Sequence, residues 1–407
     1  MRRLVILLLG GLLLTGCGNR TELNELGIVT ATGVDGKKGA WSVTYQIIIP
    51  SAMSTGSGGS AGGGSQAAVH TFSTEGKTIR EAIDITNLEN PRKLYFAHNN
   101  VIMIGKETAD EGIDEIIDNY LRNFESRETV KVLIAESKAK ELLKQLVPPE
   151  KLPGVGIAKI LDKDTKVGSF FPSVTMYDVA QGISSENSAI GIPEISLVGT
   201  GSDKLDSIEV FQKTSAKIKL KLSGLSVFKG PKRVGTLKKE QSQGVSWLTN
   251  RMKSSTISFE DRTKKPGVKA FSAFQIHSAK VKTTPVKGPD HYTLMVKADV
   301  TGELLESTSL EDISKPEGIY ILQEQIDKRI EAQIMDGWKA IQALNTDLVG
   351  IATKVHRKYP KDWNKIKGSW PKELKKMDIQ VEVKTEISRP GLIQKSFTKV
   401  LGPDAGK

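Results

Sequence analysis

In Tyr292-Thr-Leu-Met-Val-Lys-Ala-Asp-Val300, apolar side chains recur at every second position, the period of a strand with one buried face. After Pro316 the period lengthens. Leu322, Ile326, Ile330, Ile334, Trp338 and Ile341 are spaced by four and three, the stripe of a long amphipathic helix. Alternation returns between Asp378 and Ile387, with Ile379, Val381, Val383 and Ile387 on one side. Strands flanking one long helix bury these apolar faces most simply against each other. The last third therefore reads as a sheet packed by a helix.

Working back toward the N-terminus, the same two periods alternate more quickly. Gly27 to Val34 and Trp41 to Ile49 read as two strands joined at Asp35-Gly36, and Val69 to Thr74 as a third. Between them, residues 51–68 carry six glycines and no charge, a Gly/Ser-rich loop. Thr78-x-x-Glu81 is a capping box ahead of Ile79, Ala82, Ile83 and Thr86 on one helical face. Thr108-x-x-Glu111 is a second box, expected to open a helix whose buried side is Ile113, Ile116, Ile117, Tyr120, Leu121 and Phe124. Val101 to Ile104 and Val130 to Ala135 are short, wholly apolar runs, the mark of strands covered on both sides. Ser137 is the expected cap of a further helix reaching Leu146.

The middle of the chain is basic. From Lys213 to Lys269 there are 15 Lys and Arg against Glu240, Glu260 and Asp261, a local charge of +12. The whole 407-residue chain, with 58 Lys and Arg against 47 Asp and Glu, carries only +11. Ala216-Lys-Ile-Lys-Leu-Lys-Leu222 alternates lysines with apolar residues, as a strand exposed on one side does. Lys217, Lys219 and Lys221 either protect a strand edge or face anionic lipid headgroups or an acidic partner. Nucleic acid is not the expected partner, because no aromatic-interleaved RNA-binding motif accompanies the charge. The expected architecture is α+β and multidomain, with mixed β-sheets each packed with α-helices and a lipid anchor at the N-terminus. Its expected divisions are a leader at 1–16, an N-terminal α/β domain at 17–200, a basic middle domain at 201–265 and a C-terminal α+β domain at 266–401.

The leader says where the protein resides. Arg2 and Arg3 precede an apolar run from Leu4 to Leu14 that is short for a bilayer-spanning helix. It closes on Leu14-Thr15-Gly16-Cys17, which resembles the bacterial lipobox. That resemblance implies a diacylglyceryl group on Cys17 and cleavage just before it. An unlipidated signal peptide with an incidental cysteine is the plainer alternative, disfavoured because small residues, spacing and the chain's single cysteine coincide. A lone cysteine also excludes an intrachain disulfide framework.

Catalytic patterns fail one by one. Gly58-x-Ser60-x-Gly62 matches a nucleophile elbow in letters but lies in the Gly/Ser tract, where no strand and helix flank it. Gly76-Lys77-Thr78 ends like a phosphate-binding loop, yet position 71, where the entry glycine belongs, is threonine. His70, His98, His277, His291 and His356 stand singly, without metal-ligand spacing, so neither a metal nor another cofactor is expected.

Several blocks, in order, resemble the Ger(x)C lipoproteins, the C subunits of spore germinant receptors. They are Glu22 to Asp35 after the cysteine, Gly76 to Ala82, Pro91 to Asn99 leading into Val101 to Gly105, Gly224 to Lys229 with Gly235 to Leu237 and Trp247-Leu248, Gly302 to Glu306, and Tyr359 to Trp363 with Trp370. The chain departs from the family pattern at Gly18-Asn19, where Trp-Asp is usual, and in its Gly-rich loop. The resemblance implies a non-enzymatic, lipid-anchored accessory subunit, required for nutrient-triggered germination. It would lie on the outer face of the spore inner membrane beside two membrane-embedded subunits of A and B type. It also implies three units, each pairing a sheet with helices, and Cys17 as the one residue with assigned chemistry. Two rival readings are a solute-binding lipoprotein of an uptake system and an exported cell-wall enzyme. The first calls for two doubly wound lobes, which the late alternating strands and long helix disfavour.

Overall fold

The computed structural model describes residues 22, 25–53, 67–123, 125–184, 189–200, 205–261, 270–307 and 315–389. Cys17, the Gly58-x-Ser60-x-Gly62 pattern and Phe124 lie outside them. The architecture is α+β, with two sheets and helices packed on each, as the two alternating periods require.

The larger sheet contains nine strands: β1 (Leu26–Lys37), β2 (Ala40–Ile48), β3 (Val69–Gly76), β4 (Lys93–Tyr95), β5 (Val101–Gly105), β6 (Lys131–Ala135), β7 (Ala189–Gly199), β8 (Ile218–Lys229) and β9 (Lys232–Leu237). Their order is β3-β2-β1-β5-β6-β7-β8-β9, with β4 pairing the start of β1. β1, β5, β6 and β7 run parallel, and antiparallel strands continue on both sides. The apolar runs in β5 and β6 have a direct cause. Ile102, Ile104, Val132 and Ile134 enter the core on one side, and Val101, Met103, Leu133 and Ala135 enter the core on the other. A strand covered twice has no side left for water and so shows no alternation.

Helices α1 (Ile79–Glu89), α2 (Lys106–Glu111), α3 (Asp114–Arg122) and α6 (Met176–Ser184) cover the first face; α4 (Ala139–Leu143), α5 (Pro153–Lys163) and α7 (Lys239–Leu248) cover the second. Thr78 caps α1 as expected, its side chain accepting from the Glu81 N–H at 3.0 Å, while the Glu81 carboxylate accepts from the Lys77 N–H at 2.6 Å in place of Thr78's own. Two local expectations are corrected. The first hairpin turns at Lys38-Gly39, because Asp35 and Gly36 still pair with Ser42 and Trp41. The box at Thr108 is not used: α2 starts at Lys106, Gly112 breaks the helix at φ 135°, and Thr108 Oγ1 donates to the Gly36 carbonyl at 2.8 Å. The residues expected on the following helix nonetheless bury Ile113, Ile116 and Ile117.

The smaller sheet is β10 (Ser255–Asp261), β11 (Ala270–Lys287), β12 (Tyr292–Glu306) and β13 (Asp378–Arg389), in that order. β13 lies parallel to β12, so the chain crosses over between them. The crossover contains α8 (Pro316–Leu344), about 43 Å long at ~1.5 Å per residue, and three short helices, α9 (Ile351–Lys358), α10 (Pro360–Ile366) and α11 (Trp370–Lys376). Leu322, Ile326, Ile330, Ile334, Trp338 and Ile341 all lie buried along α8, against Leu294, Val296, Ala298 and Val300 of β12 in one core.

Residues 201–265, expected as a middle domain, contribute strands to both sheets. β8 and β9 complete the larger sheet, while β10 opens the smaller one. The local charge marks the solvent side of these strands, and charge does not set a domain boundary; pairing and burial do. The three sheet-and-helix units implied by resemblance likewise reduce to two sheets among the described strands.

The two halves meet where α7 crosses α8. Gly244 and Gly337 stand backbone to backbone: a Cβ on Gly244 would lie 2.7 Å from the Gly337 Cα, and one on Gly337 would lie 2.6 Å from the Gly244 carbonyl carbon. Beside that contact, Trp247 Nε1 donates to Gln333 Oε1 at 3.0 Å, Gln333 Nε2 to Gln243 Oε1 at 3.0 Å, and Gln243 Nε2 to Ser255 Oγ at 2.9 Å. Gly337→Ala should therefore push the helices apart and cost about 1–3 kcal/mol, as overpacked cores do. The check is urea denaturation, where the midpoint should fall with the slope unchanged. A wild-type midpoint would show that the crossing is not tight.

Candidate functional site: the two ends of the parallel strands

At the carboxyl end of the parallel strands, β1 finishes with a carboxylate. Asp35 Oδ1 accepts from the Ala139 N–H at 2.8 Å and Oδ2 from the Lys140 N–H at 2.9 Å. Asp35 thus caps α4 from a distant strand, doing what Ser137 was expected to do. Gly105, at the end of β5, makes room: a Cβ there would collide with Asp35 Oδ1. In parallel α/β sheets this end, with its helix N-termini, is where anionic ligands commonly sit. Here the protein's own carboxylate occupies it.

On the face carrying α4 and α5, Gln46 makes a second tie. Its Nε2 donates to the Leu143 carbonyl at 3.0 Å, and its Oε1 accepts from the Gly154 N–H at 2.9 Å and from Thr30 Oγ1 at 3.2 Å. One fully buried amide therefore joins β1 and β2 to the end of α4 and the start of α5.

The amino end is open. A cleft of about 610 Å³ lies there, lined by the first turns of β1 (Ile28, Thr30), the approach to β5 (His98, Asn99, Asn100), the approach to β6 (Arg127, Thr129) and α5 (Lys159, Asp162). A second cleft of about 420 Å³ shares Arg127 and Thr129 and is bounded by Tyr120 and Leu121. Lys131 is paired with Asp162, and Lys159 with Glu150 at 2.8 Å. Arg127 is exposed and has no ion pair among the described residues. Asn99 is only 7% exposed; its Nδ2 donates to Thr32 Oγ1 at 3.1 Å, while its Oδ1 has no hydrogen-bond partner. Burial pushes the Tyr120 phenol up to about 12, so it stays a neutral donor, its hydroxyl given to the Arg127 carbonyl at 3.2 Å. The exposed Arg127 guanidinium can meet an anionic group, and Asn99 Oδ1 can accept a hydrogen bond from a ligand's hydroxyl or N–H.

A buried carboxylate missed by pattern reading sits farther along the sheet. Glu194 of β7 accepts from Ser226 Oγ and, at 2.7 Å, from Thr236 Oγ1. Arg233 lies 3.9 Å from the same oxygen and binds Asp110 through Nε at 2.7 Å. No local spacing announces this group, because its partners come from two other strands, β8 and β9.

Lys219 and Lys221 of β8 and Lys217 just before it are exposed, while Leu220 and Leu222 are buried. The reading of one wet and one dry side thus describes this strand. The register places the lysines far from the open cleft. Lys221 is opposite Ser196 and Lys219 opposite Val198, beyond the Glu194–Ile134 pair and toward the carboxyl end. Leu26 lies five residues before Ala31, which pairs with Val101 at the amino end. Along the strands the lysines stand roughly 30–40 Å from Leu26 at ~3.3 Å per residue.

Among the described residues, no group of three or more His, Cys, Asp and Glu is arranged to hold a metal ion, and no helix is long and apolar enough to cross a membrane.

Burial holds the Asp35 carboxyl above its ordinary value of 3.8, against the pull of the two backbone N–H groups. The folded chain then binds this proton more tightly than the unfolded chain. Stability from protonation is therefore present below 3.8 and is lost as pH climbs through the raised value. In urea denaturation between about pH 3 and pH 7, wild type should lose stability relative to Asp35→Asn as pH rises, then level off. A flat difference would show that the carboxylate is not desolvated. At neutral pH, Asp35→Ala should cost about 0.5–2 kcal/mol, the loss of a helix cap.

Comparison with known proteins bears on the whole chain. A spore germination protein N-terminal domain model matches residues 19–197, and a spore germination B3/GerAC-like C-terminal model matches residues 223–391. The first ends inside β7 and the second begins inside β8, two strands that pair, so the family boundary runs through one sheet. Spore germination protein KC of Bacillus subtilis (strain 168) is 30% identical over 95% of this chain and 95% of its own. Spore germination protein GerQC of Bacillus cereus is 21% identical over 97% of this chain and all of its own. The crystal structure of the GerBC protein superposes with a TM-score of 0.55 at 18% identity, covering 88% of this chain and 98% of that one, which is a likeness of fold. Two domain models in sequence and full-length similarity at this level establish that the chain belongs to the Ger(x)C family of spore germination proteins.

Proposed function

We propose that this chain is a germinant-receptor subunit of the accessory kind. It is anchored by lipid at Cys17 to the outer face of the spore inner membrane and is required there for the response to nutrients. Membership of the Ger(x)C family carries the reading and supports a receptor-subunit role. The lipobox-like Leu14 to Cys17 supports the anchor. A non-catalytic role agrees with the fold: the end of the sheet where α/β enzymes commonly seat ligands is closed by Asp35. Its partners in this reading are the two membrane-embedded receptor subunits of A and B type, which it holds or stabilises by docking.

Affinity capture of the tagged protein from sporulating cells tests the proposal, comparing wild type with Cys17→Ala by mass spectrometry. Two polytopic membrane proteins should be recovered with wild type and be lost or reduced with Cys17→Ala. Recovery of a permease with an ATPase would overturn the receptor reading in favour of solute uptake.

The three lysines enter as a partner-facing strand, because they stand at the far end of the sheet from the chain's departure toward Cys17. Replacing Lys217, Lys219 and Lys221 by Glu should weaken recovery of the receptor partners at low salt and leave membrane retention unchanged. Undiminished capture would return these lysines to edge protection.

A further inference from the structure

The amino end of the parallel strands gathers features that the fold does not need. Three helices on one face begin or end there. α1 runs from Gly76, at the carboxyl end, back toward Lys93, which pairs with Leu26; α3 descends from the end of β5 toward the start of β6. α6 begins there too, with the Tyr177 N–H donating to the Glu128 carbonyl. Each helix leaves one large apolar residue in water at this end: Leu88 (86% exposed), Leu121 (47%) and Tyr177 (48%). Scattered apolar residues are ordinary, but these share one end of one sheet. Arg127, without an ion pair among the described residues, stands between the two clefts of the same end, and the unpartnered Oδ1 of Asn99 belongs to one of them.

β1 also begins at this end. β1 starts at Leu26, nine residues after Cys17, so even a fully extended connection spans no more than about 30 Å. A lipid on Cys17 keeps this end close to the bilayer, whereas the Lys217–Lys221 strand points away. Exposed Leu and Tyr with a free guanidinium is the composition that interfacial contacts use, the apolar groups entering the acyl boundary and the cation meeting phosphate.

We propose that the amino end of the larger sheet is the membrane-docking face of the protein. Leu88, Leu121 and Tyr177 contact the lipid interface, and Arg127, with the polar cleft around Asn99, seats the headgroup of an anionic phospholipid. This rests on the reading of Cys17 as the lipidated residue. It fixes the orientation of the body: α3 and the start of β1 face the lipid, and the basic β8 strand faces outward.

The chain's only cysteine is Cys17, so one introduced cysteine can be labelled once lipid blocks the first. Lipidated, full-length mature protein in phosphatidylglycerol–phosphatidylcholine vesicles would carry an environment-sensitive fluorophore on Leu88→Cys, Leu121→Cys or Lys219→Cys. The first two should shift to the blue and be quenched by headgroup-nitroxide lipid, and the third should do neither. In the Leu121→Cys background, Arg127→Gln should reduce quenching in anionic vesicles to the level seen in phosphatidylcholine alone. Equal or stronger quenching at Lys219→Cys, or no quenching at Leu88→Cys and Leu121→Cys in vesicle-bound protein, overturns the proposed orientation with the anchor intact. Quenching that ignores both lipid charge and Arg127 overturns the headgroup seat. Mass spectrometry showing an unmodified Cys17 removes the anchor itself, a separate failure.

Discussion

Two glycines, Gly244 on α7 and Gly337 on α8, let two helices approach until their backbones touch. Much else depends on that contact. α7 follows directly from the larger sheet and α8 covers the smaller one, so the crossing is where the two sheets become one body. Close approach also brings Trp247, Gln243, Gln333 and Ser255 into one buried relay of hydrogen bonds. A buried relay of this kind specifies one geometry, because an unmatched amide in that environment costs several times what a matched one contributes. The apolar core continues through the crossing, from Leu133 and Ile157 to Phe274 and Ile330. Such a joint suits the proposed reading, in which lipid and partner meet opposite edges of the larger sheet.

Those edges are chemically unlike. At the carboxyl end the helix dipole and orphan N–H groups of α4 are satisfied internally by Asp35, and Gly105 leaves space for its carboxylate. Little is left there for a ligand to bind. At the amino end nothing comparable fills the gap between β1, β5 and β6, and the side chains around it include an unpaired guanidinium and an amide oxygen without a donor. In the proposed docking, the usual polarity of an α/β sheet, with function at the carboxyl end, is reversed.

The parts of the fold that were legible in the sequence are those with long, regular periods. The stripe on α8, the alternation in β12 and β13 and the doubly apolar β5 and β6 all follow from burial geometry that repeats along the chain. The misreadings occurred where one or two residues carried the signal. Asp35-Gly36 has the composition of a hairpin turn, yet strand pairing continues through Lys37, and Asp35 is held by α4 across the fold. Thr108-x-x-Glu111 has the letters of a capping box, but Gly105 and Gly112 set the ends of that helix, and the threonine hydroxyl went to Gly36. The basic run from Lys213 reports the wet side of β8 and β9 and is silent about what these strands pair with.

By itself the sequence determined the class of the fold and the family: periodicity reports which faces must be buried, and ordered blocks are linear signals. Only the tertiary structure decided which strands share a sheet, that Asp35 closes one end of it, and that Arg127, Asn99, Leu88, Leu121 and Tyr177 meet at the other. These residues lie as much as 90 positions apart. Their meeting depends on strand order and helix direction, which are settled by pairing and packing among distant segments and leave no local pattern in the chain.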